Sequence, residues 1–198
     1  MGRSMRILLL TAVCAAGAFA QVGEVSVSIG ATRLRNNSLG SFSDATTGAV
    51  STLSVDSNFR FGFRLTFNSW RFFGHEIGYA YNHGTLKEGS SGSTGMPIHQ
   101  GMYNFLAYAT PEGSRIRPFG TGGVHFSTFY PPGTGVFSGN GVTKFGVNFG
   151  GGVKFKLTSS FLGRIDIRDY ENPKPDFGLG GSGWLHMLEV SAGFGLGF

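Results

Sequence analysis

Three charged residues stand at every second position of the run Arg164-Ile165-Asp166-Ile167-Arg168. A period of two puts all three charges on one face of a strand and the isoleucines on the other. The same spacing sets Arg60 and Arg64 against Phe59, Phe61, Phe63 and Leu65. It sets Lys144, Lys154 and Lys156 against Phe145, Val147, Phe149, Val153 and Phe155, and Glu189 against Leu188 and Val190. By the same parity Glu24, Glu76, Asn104, Arg117 and His125 share the polar face. This face carries eight Lys and Arg against four carboxylates. If it is enclosed, its charges must pair or hydrate to be tolerated. Counting equally from both ends of the segment 171–184 sets Glu189 opposite Asp166 or Arg168, within pairing reach of Arg168, or of Arg164 on the diagonal.

Other residue types invite sharper chemistry. His125-Phe126-Ser127 puts an imidazole and a hydroxyl on one face, the spacing of a hydrolytic pair. Its simpler reading is a hydrogen-bonded pair of polar side chains. The clusters Gly120-Thr121-Gly122-Gly123 and Gly150-Gly151-Gly152 lead into no helix, so no helix N-terminus is on hand to hold a phosphate. His75, His83, His99, His125 and His186 lack metal-ligand spacing, although His83, His99 and His186 could meet at one rim. No metal and no cofactor are expected.

The elements that position these residues are strands. Period-two alternation recurs in eight segments, 23–33, 53–68, 72–83, 98–110, 115–129, 142–158, 161–170 and 185–198. No amphipathic helix is evident. The connections 34–52, 84–97, 130–141 and 171–184 are long and rich in Gly, Ser, Thr and Pro, whereas 69–71, 111–114 and 159–160 are tight. Alternating long and short connections describe an antiparallel meander with its tight turns at one end and its long loops at the other.

Composition decides which face meets what. Glycine (34 residues) and phenylalanine (20) are abundant, and charged residues make up only 14%. Soluble domains carry about 25% charge. Glycine on a solvent-facing strand leaves nothing to pack, but in a narrow lumen it makes room for long charged neighbours. Strands of this length cover the 9–11 residues that a tilted strand needs to cross a bilayer. Aromatics gather at strand ends: Trp70, Phe72, Phe73 and Phe161 toward the tight turns, and Tyr79, Tyr81, Tyr130, Tyr170 and Trp184 toward the long loops. Such belts suit the two interfaces of a membrane. The fold expected is all-β, an eight-stranded antiparallel up-and-down transmembrane β-barrel with apolar residues facing lipid.

The start of the chain agrees. Arg3 and Arg6 precede the apolar run 7–19, and Ala18-Phe19-Ala20 follows, as in a secretory signal peptide cleaved after Ala20. Residues 1–20 are thus read as the signal and 21–198 as the barrel domain. Cleavage removes Cys14 and leaves no cysteine, and it leaves a net charge of about +3 with no basic block. Nucleic acid is therefore not an expected partner.

With its eight alternating strands, the stretches "RPFGTGGVHF" and "FGVNFGGGVKFKLTSSFLGRIDIRDY", and the terminal Phe194, Leu196 and Phe198, the chain resembles the small bacterial outer-membrane β-barrels of the OmpA and OmpX type. The resemblance implies export to the bacterial outer membrane, four long extracellular loops and three short periplasmic turns. It also implies a last strand read by the assembly machinery, and surroundings of outer-membrane lipid and lipopolysaccharide. No peptidoglycan-binding domain follows the barrel, so a cell-wall tether is not implied. Lipid A deacylases are eight-stranded barrels with a similar His-x-Ser, late in the barrel and facing lipid. Here His125 and Ser127 lie in the fifth strand on the polar face, so a lumen pair is expected. The implied role is non-enzymatic, structural or surface-interacting through the loops, with an unknown extracellular ligand. A lipid-modifying enzyme and a narrow channel are the alternatives.

Overall fold

The computed structural model describes residues 23–43, 48, 50–56, 59–89, 92–133, 139–178 and 181–198. The signal segment 1–20 lies outside them. Ten strands form one sheet: β1 (Gly23–Arg35), β2 (Ser38–Ser43), β3 (Val50–Asp56), β4 (Phe59–Trp70), β5 (Phe73–Glu88), β6 (Gly92–Tyr108), β7 (Ile116–Phe129), β8 (Val142–Lys156), β9 (Phe161–Pro173) and β10 (Trp184–Gly197). Eight of them, β1 and β4 to β10, pair with their neighbours in sequence, and β1 also pairs antiparallel with β10. The sheet closes on itself into an eight-stranded antiparallel barrel. Closure leaves no open edge, which a lipid environment requires because lipid offers backbone groups no hydrogen bonds.

Apolar side chains point out. Phe145 is 75% exposed, and Phe61, Phe63, Phe149, Ile165, Ile167 and Val190 are exposed with it. The charged partners at alternate positions point in: Arg60, Arg64, Glu76, Arg164, Asp166, Arg168 and Glu189 are each at most 2% exposed. This is the inverse of a soluble barrel's distribution.

Lumen-facing glycine has a steric reason. Gly150 pairs with Arg168 across β8 and β9. A Cβ built on Gly150 would lie 2.2 Å from the Ile167 carbonyl oxygen and 3.0 Å from Arg168 Cγ. Only a residue without a side chain lets the backbone curve so tightly beside an inward arginine.

Two boundaries differ from the sequence reading. The segment 84–97 is largely strand, not loop: β5 and β6 stay in register out to Glu88↔Gly92. The reason lies in the inner face, which changes character along the barrel. Toward the long-loop end the buried inward residues are Leu34, Leu86, Met96, Ile98, Phe129, Leu185 and Met187. A pattern that equates the inner face with polarity reads this stretch as irregular. The first long connection also holds structure of its own. β2 lies there, whereas most of β3 falls within the expected strand 53–68, which the structure divides into β3 and β4. β3 pairs with β2 and with β5 above the end of β4, from Leu53↔Glu88 to Asp56↔Thr85.

Candidate functional site: the filled lumen and its rims

The lumen is packed in tiers. In the middle tier four arginines surround three carboxylates. Arg164 donates from Nε and Nη2 to the two oxygens of Asp166, both at 2.8 Å, a bidentate fork. Its Nη1 reaches Glu76 Oε2 at 3.0 Å. Arg168 bridges the same two acids, with Nη2 at 2.8 Å from Asp166 Oδ1 and Nη1 at 2.8 Å from Glu76 Oε1. Glu189 is held by Arg64 Nη2 at 2.6 Å and Arg60 Nε at 3.1 Å, and it accepts from the Tyr170 hydroxyl at 2.8 Å. Arg64 also donates to Ser28, and Arg60 to Asn82 and Gln100. The interlocking matters because each ion loses its hydration on burial, and only near-complete hydrogen bonding offsets that cost.

A smaller tier lies toward the short-turn end. Lys154 donates to Glu24 and to the Tyr108 hydroxyl, and Arg117 stacks on the Tyr108 ring with Cζ 3.7 Å from its centroid. Below it a cavity of about 330 Å³ opens at the mouth, lined by Arg117, Lys154, Lys156, Glu24, Glu112 and Phe198 among others. The apolar tier of Leu34, Leu53, Val55, Leu86, Met96, Ile98 and Leu185 caps the long-loop end, with Phe177 packed against it.

Most of the residues singled out by parity are brought together here, but some are not. Lys144 is only half-buried, at the rim near Thr143 and Phe145, and takes no place in the charge network. Arg117 is buried but meets an aromatic ring instead of a carboxylate. Glu189 does lie opposite Arg168 in the ladder, yet its ion-pair partners are Arg60 and Arg64 from β4. Arginine reaches across the narrow lumen, so cross-strand neighbours need not be ionic partners. Tyr170 is not an interface aromatic. It is fully buried, with its ring against His125 and its hydroxyl on Glu189. Its parity with Arg164, Asp166 and Arg168 is the signal that places it inward.

The remaining aromatics named for the interfaces face outward. Trp70 and Phe73 lie at the short-turn end and Tyr130 and Trp184 at the long-loop end, but Tyr79 and the half-buried Tyr81 lie about midway along β5, because that strand runs on to Glu88. His99 sits among Tyr79, Tyr81 and Tyr130, its Nδ1 2.6 Å from the Tyr79 hydroxyl. Phe194, Leu196 and Phe198 point outward along β10, and Phe198 exchanges backbone hydrogen bonds with Gly23. His125 and Ser127 both point inward but have separate partners: His125 Nε2 lies 3.3 Å from Asn172 Oδ1, and Ser127 Oγ accepts from Gln100.

One constellation has no counterpart in sequence spacing. Asp169 and Glu171 alternate with lumen-facing Arg168 and Tyr170, so they sit on the outer face of β9 near the long-loop end. His186 of β10 pairs with Glu171 in the ladder, its Nδ1 3.1 Å from Glu171 Oε1. One ligand atom from each of the three lies within 4.8 Å of the others. His83, His99 and His186 do not form such a group among the described residues.

A closed eight-stranded barrel with an apolar outside and a charged inside defines an integral outer-membrane protein. The family model for the outer membrane protein β-barrel domain matches residues 7–198, and the chain belongs to that family. It is a bacterial outer-membrane protein, and its fold recurs at low identity in solved structures. The outer membrane protein OprG of Pseudomonas aeruginosa is 15% identical with a TM-score of 0.65, over 90% of this chain and 96% of that one. Neisserial surface protein A is 12% identical with a TM-score of 0.60, over 89% and 97%. The outer membrane protein AlkL, solved in lipid bilayers, is 15% identical with a TM-score of 0.58, over 89% and 90%. No curated protein matches the chain.

Proposed function

We propose that this protein is a non-enzymatic outer-membrane barrel that presents its long-loop end at the cell surface and passes no solute through its lumen. The observation that carries this reading is the filling of the interior. Seven charged residues in the middle tier are at most 2% exposed, with an apolar tier above them. Eight strands enclose an interior just wide enough for side chains to fill, and a permeant solute would have to break buried, mutually hydrogen-bonded ion pairs.

On the same reading, the outward apolar band contacts membrane lipid. The exposed Arg33 and Arg35, at the long-loop end of β1, suit the phosphates of lipopolysaccharide. The last strand, with Phe194, Leu196 and Phe198 outward, is read by the assembly machinery. The loops offer a surface for an extracellular ligand. The separate partners of His125 and Ser127 favour a structural pair over a lipid-modifying site.

The test is single-channel recording of the refolded barrel in planar bilayers. The proposal expects no discrete conductance steps in wild type, and their appearance once Arg60, Arg64 and Glu189 are all replaced by alanine. Discrete steps in wild type would support the narrow channel. A change in lipid A mass between cells with and without the protein would support the enzyme.

A further inference from the structure

We infer that Asp169, Glu171 and His186 form a binding site for one divalent cation of the zinc class, on the outer face of the barrel just below the long-loop end. The ligand set is two carboxylates and one imidazole, a combination suited to zinc and its neighbours rather than to calcium or magnesium, which take oxygen alone. Backbone geometry makes the set. Asp169 and Glu171 are two apart on β9, so they share a face, and the β9–β10 register brings His186 directly opposite Glu171. The three ligand atoms already lie within 4.8 Å of one another. Ligands around one tetrahedral zinc sit roughly 3.4 Å apart, given bond lengths near 2.1 Å. Side-chain rotation alone can close that gap.

The setting argues for a cation rather than for carboxylates left alone. Cross-strand neighbours of the acids are Phe149 and Val147 on β8 and Leu188 on β10, and Ile167 precedes them on the same face. Asp169 Oδ1 is shut off from solvent with no hydrogen-bond partner. An unsatisfied carboxylate oxygen in an apolar surround is costly, and a bound cation would satisfy it. Two carboxylates also outweigh Arg35, the cation opposite His186 on β1. The bound ion would tie β9 to β10.

The simpler alternative is a Glu171–His186 ion pair with Asp169 as a bystander, and the test separates the two. Refolded full-length barrel in detergent is titrated with Zn2+ alone by calorimetry, with Co2+ absorption as a second readout. The expected result is one ion per barrel, with binding weakened at least tenfold in both Asp169→Asn and His186→Gln and unchanged in His99→Gln. Heat-modifiable gel mobility confirms that each variant is folded. Because Asp169 takes no part in the ion pair, a loss in Asp169→Asn cannot come from breaking that pair. Binding that survives in the folded Asp169→Asn/His186→Gln double variant overturns the inference, as does the absence of Zn2+ and Co2+ binding by wild type.

Discussion

Arg168 and Glu189 face each other across the β9–β10 ladder, both fully buried, and yet they do not pair. Glu189 turns to Arg60 and Arg64 on the far side of β1, while Arg168 takes Glu76 and Asp166. The charge network therefore spans the lumen instead of following one hairpin. It ties β4 and β5 to β9 and β10, strands far apart in sequence.

That arrangement makes the cost of a lost charge unequal. The middle tier has four arginines and three carboxylates, so it already carries one excess positive charge. Glu189→Leu leaves Arg60 and Arg64 without their main acid, and a destabilisation of about 3–5 kcal/mol is expected. Arg60→Met should cost less, because it relieves the excess. Glu88→Leu, at the exposed end of β5, should cost almost nothing. Urea unfolding midpoints in detergent, followed by gel mobility, give the ranking. Equal midpoints for Glu189→Leu and wild type would mean that the network contributes no stability.

Glycine positions on the two faces should respond differently to one added methyl group. At Gly150 the new Cβ would meet the Ile167 carbonyl at 2.2 Å, whereas at Gly122 the nearest such atom is 3.8 Å away. Gly150→Ala is expected to destabilise by about 1–3 kcal/mol or to lower the refolding yield, as overpacking does. Gly122→Ala should refold like wild type. Similar yields for the two variants would contradict the steric role of lumen glycine.

Much of this fold is legible in period-two alternation, because lipid outside and charge inside give each strand two unlike faces. Arg60, Arg64, Arg164, Asp166 and Arg168 could be placed inward on that ground alone. The rule weakens where the inner face turns apolar. Leu86, Met96 and Met187 line the upper lumen, so β5 and β6 run past the point where alternation of polarity stops. Tyr170 shows the opposite error. An aromatic near a strand end suggests a belt, but parity with Arg168 governs its direction. The Asp169, Glu171 and His186 group depends on ladder register, which spacing along the chain does not carry.

The terminal aromatic separates folding from assembly. Phe198 is 73% exposed, so its side chain contributes little burial to the barrel. Phe198→Lys keeps the backbone bonds to Gly23 and should refold in detergent with near wild-type yield. In cells its outer-membrane level should fall severalfold, if the last strand is an assembly signal. Equal levels of the two proteins in isolated outer membranes would remove that role.

The direction of the apolar face can be measured directly. Both native tryptophans, Trp70 and Trp184, lie at the interfaces and can be replaced by phenylalanine, leaving one probe tryptophan at position 149 or at position 170. Fluorescence is then recorded in bilayers of lipid brominated at mid-chain. Phe149 points outward and Tyr170 inward, so Phe149→Trp should be strongly quenched and Tyr170→Trp should not. Strong quenching at position 170 with none at position 149, in folded protein, would contradict a barrel with its apolar face in lipid and its charges within.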